Sequence, residues 1–213
     1  MKTIISLFIV IASGLTALAA HPTLPLAGEW RFQLDRADAG VRERWFERTL
    51  PQKIKLPGTL TAQGIGDPVT VDTKWIGGIV DKSWFTAPEY AKYREPGNVK
   101  IPFWLQPELY YAGAAWFQRE IEIPEDWNGK RVVLFLERAH WETRIWINDK
   151  LIGTNNSLAT PHEYELGIVA RASRPFDAAN NQNRTGGTPV PLQLPPGKHT
   201  LTIRVDNRMV IDV

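Results

Sequence analysis

Two glutamates on one predicted strand are the first residues to consider for bond-breaking chemistry. Glu120 and Glu122 are two residues apart, between the apolar positions of that strand. Two carboxylates can share acid–base work when they face each other across a substrate. Side chains at positions i and i+2 of a strand point in the same direction instead. We therefore assign no catalytic residue from the sequence.

The composition excludes several other chemistries. The 213 residues contain no cysteine and four histidines, so neither a thiolate zinc site nor a cysteine nucleophile is available, and we expect no metal and no cofactor. Lysine and arginine number 25 against 23 acidic residues, without the basic run that nucleic-acid binding requires. The length suits one domain, because a catalytic (β/α)8 barrel takes about 250 residues by itself.

The N-terminus has the pattern of a secretory signal peptide. Lys2 precedes an apolar run over residues 4–12, and Ala17-Leu18-Ala19 matches an A-x-A cleavage site. Polar residues interrupt this stretch, which is also too short for a membrane span. We expect cleavage after Ala19, a secreted or periplasmic protein without membrane contact, and a single domain over residues 20–213.

Apolar alternation along the mature chain predicts strands rather than helices. Trp30, Phe32 and Leu34 alternate with polar residues, and Leu201, Ile203 and Val205 do the same near the other end. The remaining predicted strands are 115–124, 131–137, 141–147, 151–153 and 163–166, with Asn148 and Asp149 in a hairpin turn. Residues 131–137 are apolar on both faces, as in the middle of a sandwich. These spacings predict an all-β sandwich.

Two stretches depart from the strand pattern. The apolar spacing over residues 38–50 fits a short amphipathic helix lying across the sheet. Residues 62–107 have no clear period but hold many aromatic, glycine and proline residues, which is typical of a long functional loop. On the strand that begins at 115, Arg119 lies between apolar positions and is either a buried ion-pair partner or a residue at the rim of the core.

Several motifs together resemble the N-terminal sugar-binding domain of glycoside hydrolase family 2. They are LAGEWRF at 26–32, IKLPGT at 54–59, YAGAAWFQR at 111–119, IPEDW at 123–127, WETRIWINDK at 141–150 and PGKHTLTIRVDNR at 196–208. The resemblance implies a jelly-roll sandwich of the galactose-binding type. In the family this domain precedes an immunoglobulin-like domain and a barrel that carries two catalytic glutamates. We therefore expect a non-catalytic domain, incomplete at its C-terminus, from an enzyme that hydrolyses O-glycosidic bonds, of β-galactosidase type.

The same resemblance suggests residues that contact carbohydrate. Some family members use an Asp or Asn just after the last strand of this domain, where Asp206 and Asn207 lie here. The alternative for this pair is an ordinary strand-end turn.

Tryptophans are the other candidates. Those of the 62–107 insertion could stack on sugar rings or pack against a following domain: Trp75, Trp84 and Trp104. We assign Trp30, Trp116 and Trp146 to the core, and His140 to a structural role. Two other functions stay open, a stand-alone carbohydrate-binding module and a sandwich that binds protein.

Overall fold

The structure is a computed structural model that describes residues 21–73, 83–100, 108–170 and 193–208. Six strands form an antiparallel sheet in the order β2-β1-β5-β11-β7-β8: β1 (Gly28–Asp35), β2 (Gln52–Leu56), β5 (Ala114–Ile123), β7 (Glu142–Ile147), β8 (Lys150–Asn155) and β11 (Gly197–Asp206). A second sheet has the order β10-β9-β6: β6 (Arg131–Leu136), β9 (His162–Val169) and β10 (Gln193–Leu194). A short ladder joins β3 (Asp67–Pro68) to β4 (Leu109–Tyr110).

The helical content is small. One α-helix, α1 (Ser83–Thr86), is accompanied by short 3-10 helices at Trp45–Glu47, Thr61–Gln63, Pro88–Tyr93 and Glu125–Trp127. No helix within the described ranges is both long and apolar enough to cross a membrane.

Two long strands form the centre of the six-stranded sheet. β5 and β11 pair over their full length, from Gly197 opposite Ile123 to Asp206 opposite Ala114. β11 also pairs with β7, so its alternating residues are covered on both edges. This register sends Phe117, Ile203 and their neighbours to one face of the sheet and Trp116 and Arg204 to the other.

The core lies between the two sheets. Phe117, Leu201 and Ile203 from the large sheet pack in one cluster with Leu134 and Tyr164 from the small sheet. Strands whose apolar residues alternate can bury one face in this way. The predicted all-β sandwich is confirmed, and Trp30, Trp116 and Trp146 are buried as expected.

The helix predicted over residues 38–50 is wrong, although the segment does lie across the sheet. Asp38 and Arg44 have φ values of 52° and 53°, which interrupt an α-helix. The Asp35 carboxylate also accepts hydrogen bonds from the backbone N–H groups of Ala39 and Gly40, and such local bonds compete with helical ones. The apolar spacing instead serves packing on the outer face of the large sheet, in a cluster of Trp45, Phe46, Leu50, Trp116 and Trp146.

The prediction that β6 is buried on both faces is also wrong. Val132 and Leu134 are buried, but Val133 is 39% and Phe135 54% exposed. β6 lies at the edge of the three-stranded sheet, and nothing in the described part of the chain covers its outward face. The alternation that a one-sided strand normally shows is missing because both faces carry apolar residues.

Two turns follow the sequence prediction. Asn148 has a φ of 53° in the turn between β7 and β8, as a tight hairpin requires. Gly113, before β5, has a φ of 154°, and a Cβ at this position would lie 2.8 Å from the Tyr111 hydroxyl. Only glycine fits there, so the small residues before β5 let the backbone pass close to Tyr111.

Candidate functional site

A cleft of about 630 Å³ opens on the inner face of the large sheet. The small sheet is narrower, and β9 packs beneath β7 and β8. The opposite half of the large sheet therefore faces the cleft, between the end of β6 and the loop that follows β2. The cleft is lined by Trp30, Ala115, Phe117, Ile203 and Val205 from the sheet and by residues 56–61 and 135–140 at its sides.

The floor of the cleft, which we define as Trp30, Ala115, Phe117, Ile203 and Val205, is apolar. The indole Nε1 of Trp30 donates to the Leu26 carbonyl at 2.9 Å. Near the floor, the Tyr111 hydroxyl donates to the Ala114 carbonyl at 2.6 Å, and burial raises the pKa of Tyr111. The polar side-chain atoms of Trp30 and Tyr111 are thus already bonded within the protein.

Arg119 supports this floor from one side. Its guanidinium donates to the carbonyls of Leu26 and Ala27 at 2.7 and 2.9 Å and lies 5.9 Å from the centre of the Trp30 ring. Arg119 is half-buried and binds backbone carbonyls, so it fixes the segment before β1 and, through it, the indole of Trp30.

Asn207 closes one end of the cleft. Its side-chain oxygen accepts a hydrogen bond from the Gly113 N–H at 2.7 Å, and its amide donates to the Tyr111 carbonyl at 2.8 Å. The residue therefore ties the end of β11 to the turn before β5. This geometry is that of a structural strand-end contact, and direct contact between Asn207 and sugar stays a prediction.

The rim of the cleft, which we define as Thr59, Thr61, Phe135, Glu137, Arg138 and His140, is polar apart from one ring. The side chains of Glu137 and Arg138 are 74% and 90% exposed, and their charged groups are 3.9 Å apart. His140 is exposed as well. Its position on the rim was not anticipated from the sequence, which suggested a structural role. Glu137 is the one carboxylate among the described residues that line the cleft.

Asp206 points away from the cleft. Consecutive residues of a strand face opposite sides, and Asp206 lies on the outer face with Arg204. Its carboxylate accepts hydrogen bonds from Arg204 Nη2 at 2.8 Å and from Arg208 Nε at 2.9 Å. Asp38 from the loop over the outer face pairs with both arginines, and Glu142 pairs with Arg204 at 3.2 Å.

The charges around Asp206 determine its protonation. Burial alone would raise the pKa of Asp206, but hydrogen bonds from Arg208 and the charges of Arg204 and Arg208 lower it to about 2. The hydrogen bond from Arg208 likewise lowers the pKa of Asp38. Arg204 is buried, and this set of opposite charges compensates it. The sugar contact predicted for Asp206 stays a prediction, since its carboxylate is occupied by arginines.

The other predicted site residues are not brought together. Trp84 lies in α1, and Trp75 and Trp104 lie outside the described residues. Glu120 and Glu122 are exposed on the outer face, where Glu120 pairs with Lys198 at 2.9 Å. No group of three or more histidine or acidic residues suited to a metal ion occurs in the described ranges.

Sequence reasoning missed most of the rim. Phe135 was assigned to the core because both faces of β6 are apolar. Thr59 follows the Pro57-Gly58 turn inside a recognised motif, which was the one available signal for that side of the cleft.

Known proteins give a consistent comparison. The β-glucuronidase of Canis lupus familiaris is 27% identical over 99 residues, which are 45% of this chain and 15% of that protein. The β-glucuronidase of Paenibacillus borealis is 21% identical over 149 residues, 70% of this chain and 19% of the relative. The chain thus spans less than a fifth of the length of these curated relatives. No protein-family model matches the chain.

Solved structures include a β-glucuronidase from an uncultured Clostridium sp., with a TM-score of 0.48 at 17% identity, covering 89% of this chain and 24% of that one. A Ruminococcus gnavus β-glucuronidase solved with uronic isofagomine has a TM-score of 0.45 at 14% identity and covers 85% of this chain and 20% of that one. By its sequence, the chain is a homologue of β-glucuronidases, which are glycoside hydrolases of family 2.

Proposed function

We propose that this chain is a non-catalytic, carbohydrate-binding sandwich domain of an exported glycoside hydrolase, and that the cleft on its inner face is the carbohydrate site. The homology to β-glucuronidases supports the enzyme class. The observation that carries the non-catalytic role is the single carboxylate, Glu137, among the described cleft residues. Hydrolysis of a glycosidic bond normally uses two carboxyl groups on either side of that bond.

The parent reaction that we propose is hydrolysis of β-glycosides. The sequence motifs favour a β-galactosidase type, whereas the sequence relatives are named β-glucuronidases. β-Glucuronides are therefore the first substrates to test and β-galactosides the second. Export through a signal peptide over residues 1–19 is supported by the pattern of Lys2, the apolar run and the A-x-A site.

The rim supports carbohydrate as the ligand class. Threonine hydroxyls, a carboxylate, a guanidinium and an imidazole can all exchange hydrogen bonds with sugar hydroxyls. A concave site with an apolar floor and a few polar groups is typical of small-molecule sites, whose volumes are about 300–1,000 Å³.

Saturation-transfer NMR tests the binding proposal directly. Methyl β-D-glucuronide and methyl β-D-galactoside are added in turn to the purified chain, and we expect transfer from the protein to the sugar-ring protons of at least one of them. Arg138→Ala should reduce that transfer, because Arg138 lies on the rim. Arg42→Ala is the matched control, since its side chain is 79% exposed and it is not a cleft residue. Absence of transfer to either sugar contradicts carbohydrate binding.

A further inference from the structure

The floor of the cleft poses a chemical problem for a bare sugar. Trp30, Phe117 and Ile203 offer no hydrogen-bonding group that is not already used. A sugar ring pressed onto this floor would lose the water around its hydroxyl groups without gaining new partners, which costs free energy for each group. The hydrogen-bonding groups are all on the rim.

We propose that the cleft recognises glycosides by their apolar aglycone, with the aglycone on the floor and the sugar at the rim. This rests on the proposed function and adds the substrate class to it, namely aryl or alkyl glycosides. An aromatic or alkyl group gains from burial against the floor in proportion to its apolar area. The sugar then keeps its hydroxyl groups among Thr61, Glu137 and Arg138.

Phe135 is the residue that best fits an aglycone anchor. It is 54% exposed, whereas the floor residues Trp30 and Phe117 are 3% and 8% exposed. Its ring lines the cleft at the end of β6, next to the polar residues 137–140. An exposed ring at the boundary between an apolar floor and a polar rim can stack on a planar aglycone. Because little of this ring is in the core, its removal should leave the fold intact.

The volume agrees with such a ligand. A cleft of about 630 Å³ is larger than one sugar ring needs and falls within the range of drug-sized ligands. The loosely paired Glu137 and Arg138, 3.9 Å apart and mostly exposed, remain available to sugar hydroxyls.

Isothermal titration calorimetry tests the inference with three probes: naphthyl β-D-glucuronide, methyl β-D-glucuronide and naphthol, with the two matching galactosides run in parallel. We expect the naphthyl glycoside of the preferred sugar to bind at least about tenfold more tightly than its methyl glycoside, and also more tightly than naphthol. Phe135→Ala should weaken naphthyl glycoside binding at least about fivefold. Leu151→Ala is the matched control, because Leu151 is 52% exposed on β8 outside the cleft and its loss should change the affinity less than about twofold.

The other outcomes overturn the inference in distinguishable ways. Equal affinity for naphthyl and methyl glycosides would leave carbohydrate binding in place and remove the aglycone role. Naphthol binding as tightly as its glycoside would show that the rim does not read the sugar. Loss of affinity in Leu151→Ala, or none in Phe135→Ala, would place the ligand elsewhere. Release of naphthol from the glycoside would instead contradict the non-catalytic role, which is the separate claim of the proposed function.

Discussion

Asp206 shows how one residue can be important without touching a ligand. It lies at the meeting point of β11, Arg208 and the loop that carries Asp38, and its hydrogen bonds to Arg204 and Arg208 hold these segments together. The sequence placed it correctly at the end of the last strand. The sequence did not reveal which face it occupies, because that depends on the pairing register of β11 with β5.

The first prediction concerns acid stability. The pKa of Asp206 is about 2 in the folded protein against an ordinary value of 3.8, so its contribution is present above about pH 4 and is lost as the pH falls towards 2. That contribution is about 2 kcal/mol. Asp206→Asn should lower the free energy of unfolding by at least that amount at pH 7, because it leaves Arg204 less compensated. It should also flatten the decline in stability between pH 4 and pH 2.

Urea unfolding followed by tryptophan fluorescence at a series of pH values measures both effects. Asp67→Asn is the control, since Asp67 forms an exposed pair with Arg36 and exposed pairs contribute little. An Asp206→Asn protein that kept both the wild-type stability and the wild-type pH dependence would show that the carboxylate does not hold the outer face together.

A second residue-level prediction concerns Asn207. Asn207→Ala leaves the Gly113 N–H and the Tyr111 carbonyl without their partner, and we expect a loss of about 1–3 kcal/mol in unfolding free energy. Glycoside affinity should fall with it, because the same contact shapes one end of the cleft. Asn98→Ala, which removes an exposed hydrogen bond to the Lys92 carbonyl, should leave both quantities nearly unchanged. If Asn207→Ala lowered glycoside affinity while its denaturation midpoint matched the wild type, Asn207 would be a sugar ligand rather than a structural contact.

At the scale of elements, the loop over the outer face depends on how closely its backbone approaches the sheet. A Cβ at Gly40 would lie 2.6 Å from Nε1 of Trp116 and 2.7 Å from Oδ2 of Asp35, two atoms that are hydrogen-bonded to each other at 2.9 Å. Gly40→Ala should therefore displace the loop and cost about 1–3 kcal/mol or more. Thermal unfolding measures this loss.

Near-ultraviolet circular dichroism should report the same change, because the loop carries Phe46 onto Trp146, with their rings stacked 5.2 Å apart. Gly129→Ala is the comparison, since its Cβ would meet nothing within 4 Å and its φ of 78° leaves only a backbone cost of about 1 kcal/mol. Equal effects of the two substitutions would contradict the close approach at Gly40.

The elements also show where sequence patterns succeed and fail. Strands such as β1 and β11 were predictable because one face is buried and the other is not, which gives a strict alternation. Residues 38–50 misled because packing on a flat sheet face can produce the same apolar spacing as a helix. β6 misled because its outward Val133 and Phe135 are apolar but exposed, and no local pattern reports that a strand lies at an edge.

At the scale of the whole molecule, the cleft results from the unequal widths of the two sheets. The six-stranded sheet extends beyond the three-stranded one, and the uncovered half of its inner face becomes the floor. This depends on which strands pair, so the sequence predicted the sandwich and its likeness to family 2 sugar-binding domains but not the site. The residues suggested from the sequence, Asp206 and Asn207, lie respectively on the opposite face and at one end of the cleft.

The most direct test of the central claim is a hydrolysis assay on the purified chain with aryl β-glucuronides and aryl β-galactosides. Because Glu137 is the one carboxylate among the described residues at the cleft, we predict no release of the aryl group above the rate of the uncatalysed reaction, under conditions in which a complete β-glucuronidase turns the substrate over. Aryl release by the wild-type chain that Glu137→Gln abolishes would contradict the claim, since it would make this domain the catalyst.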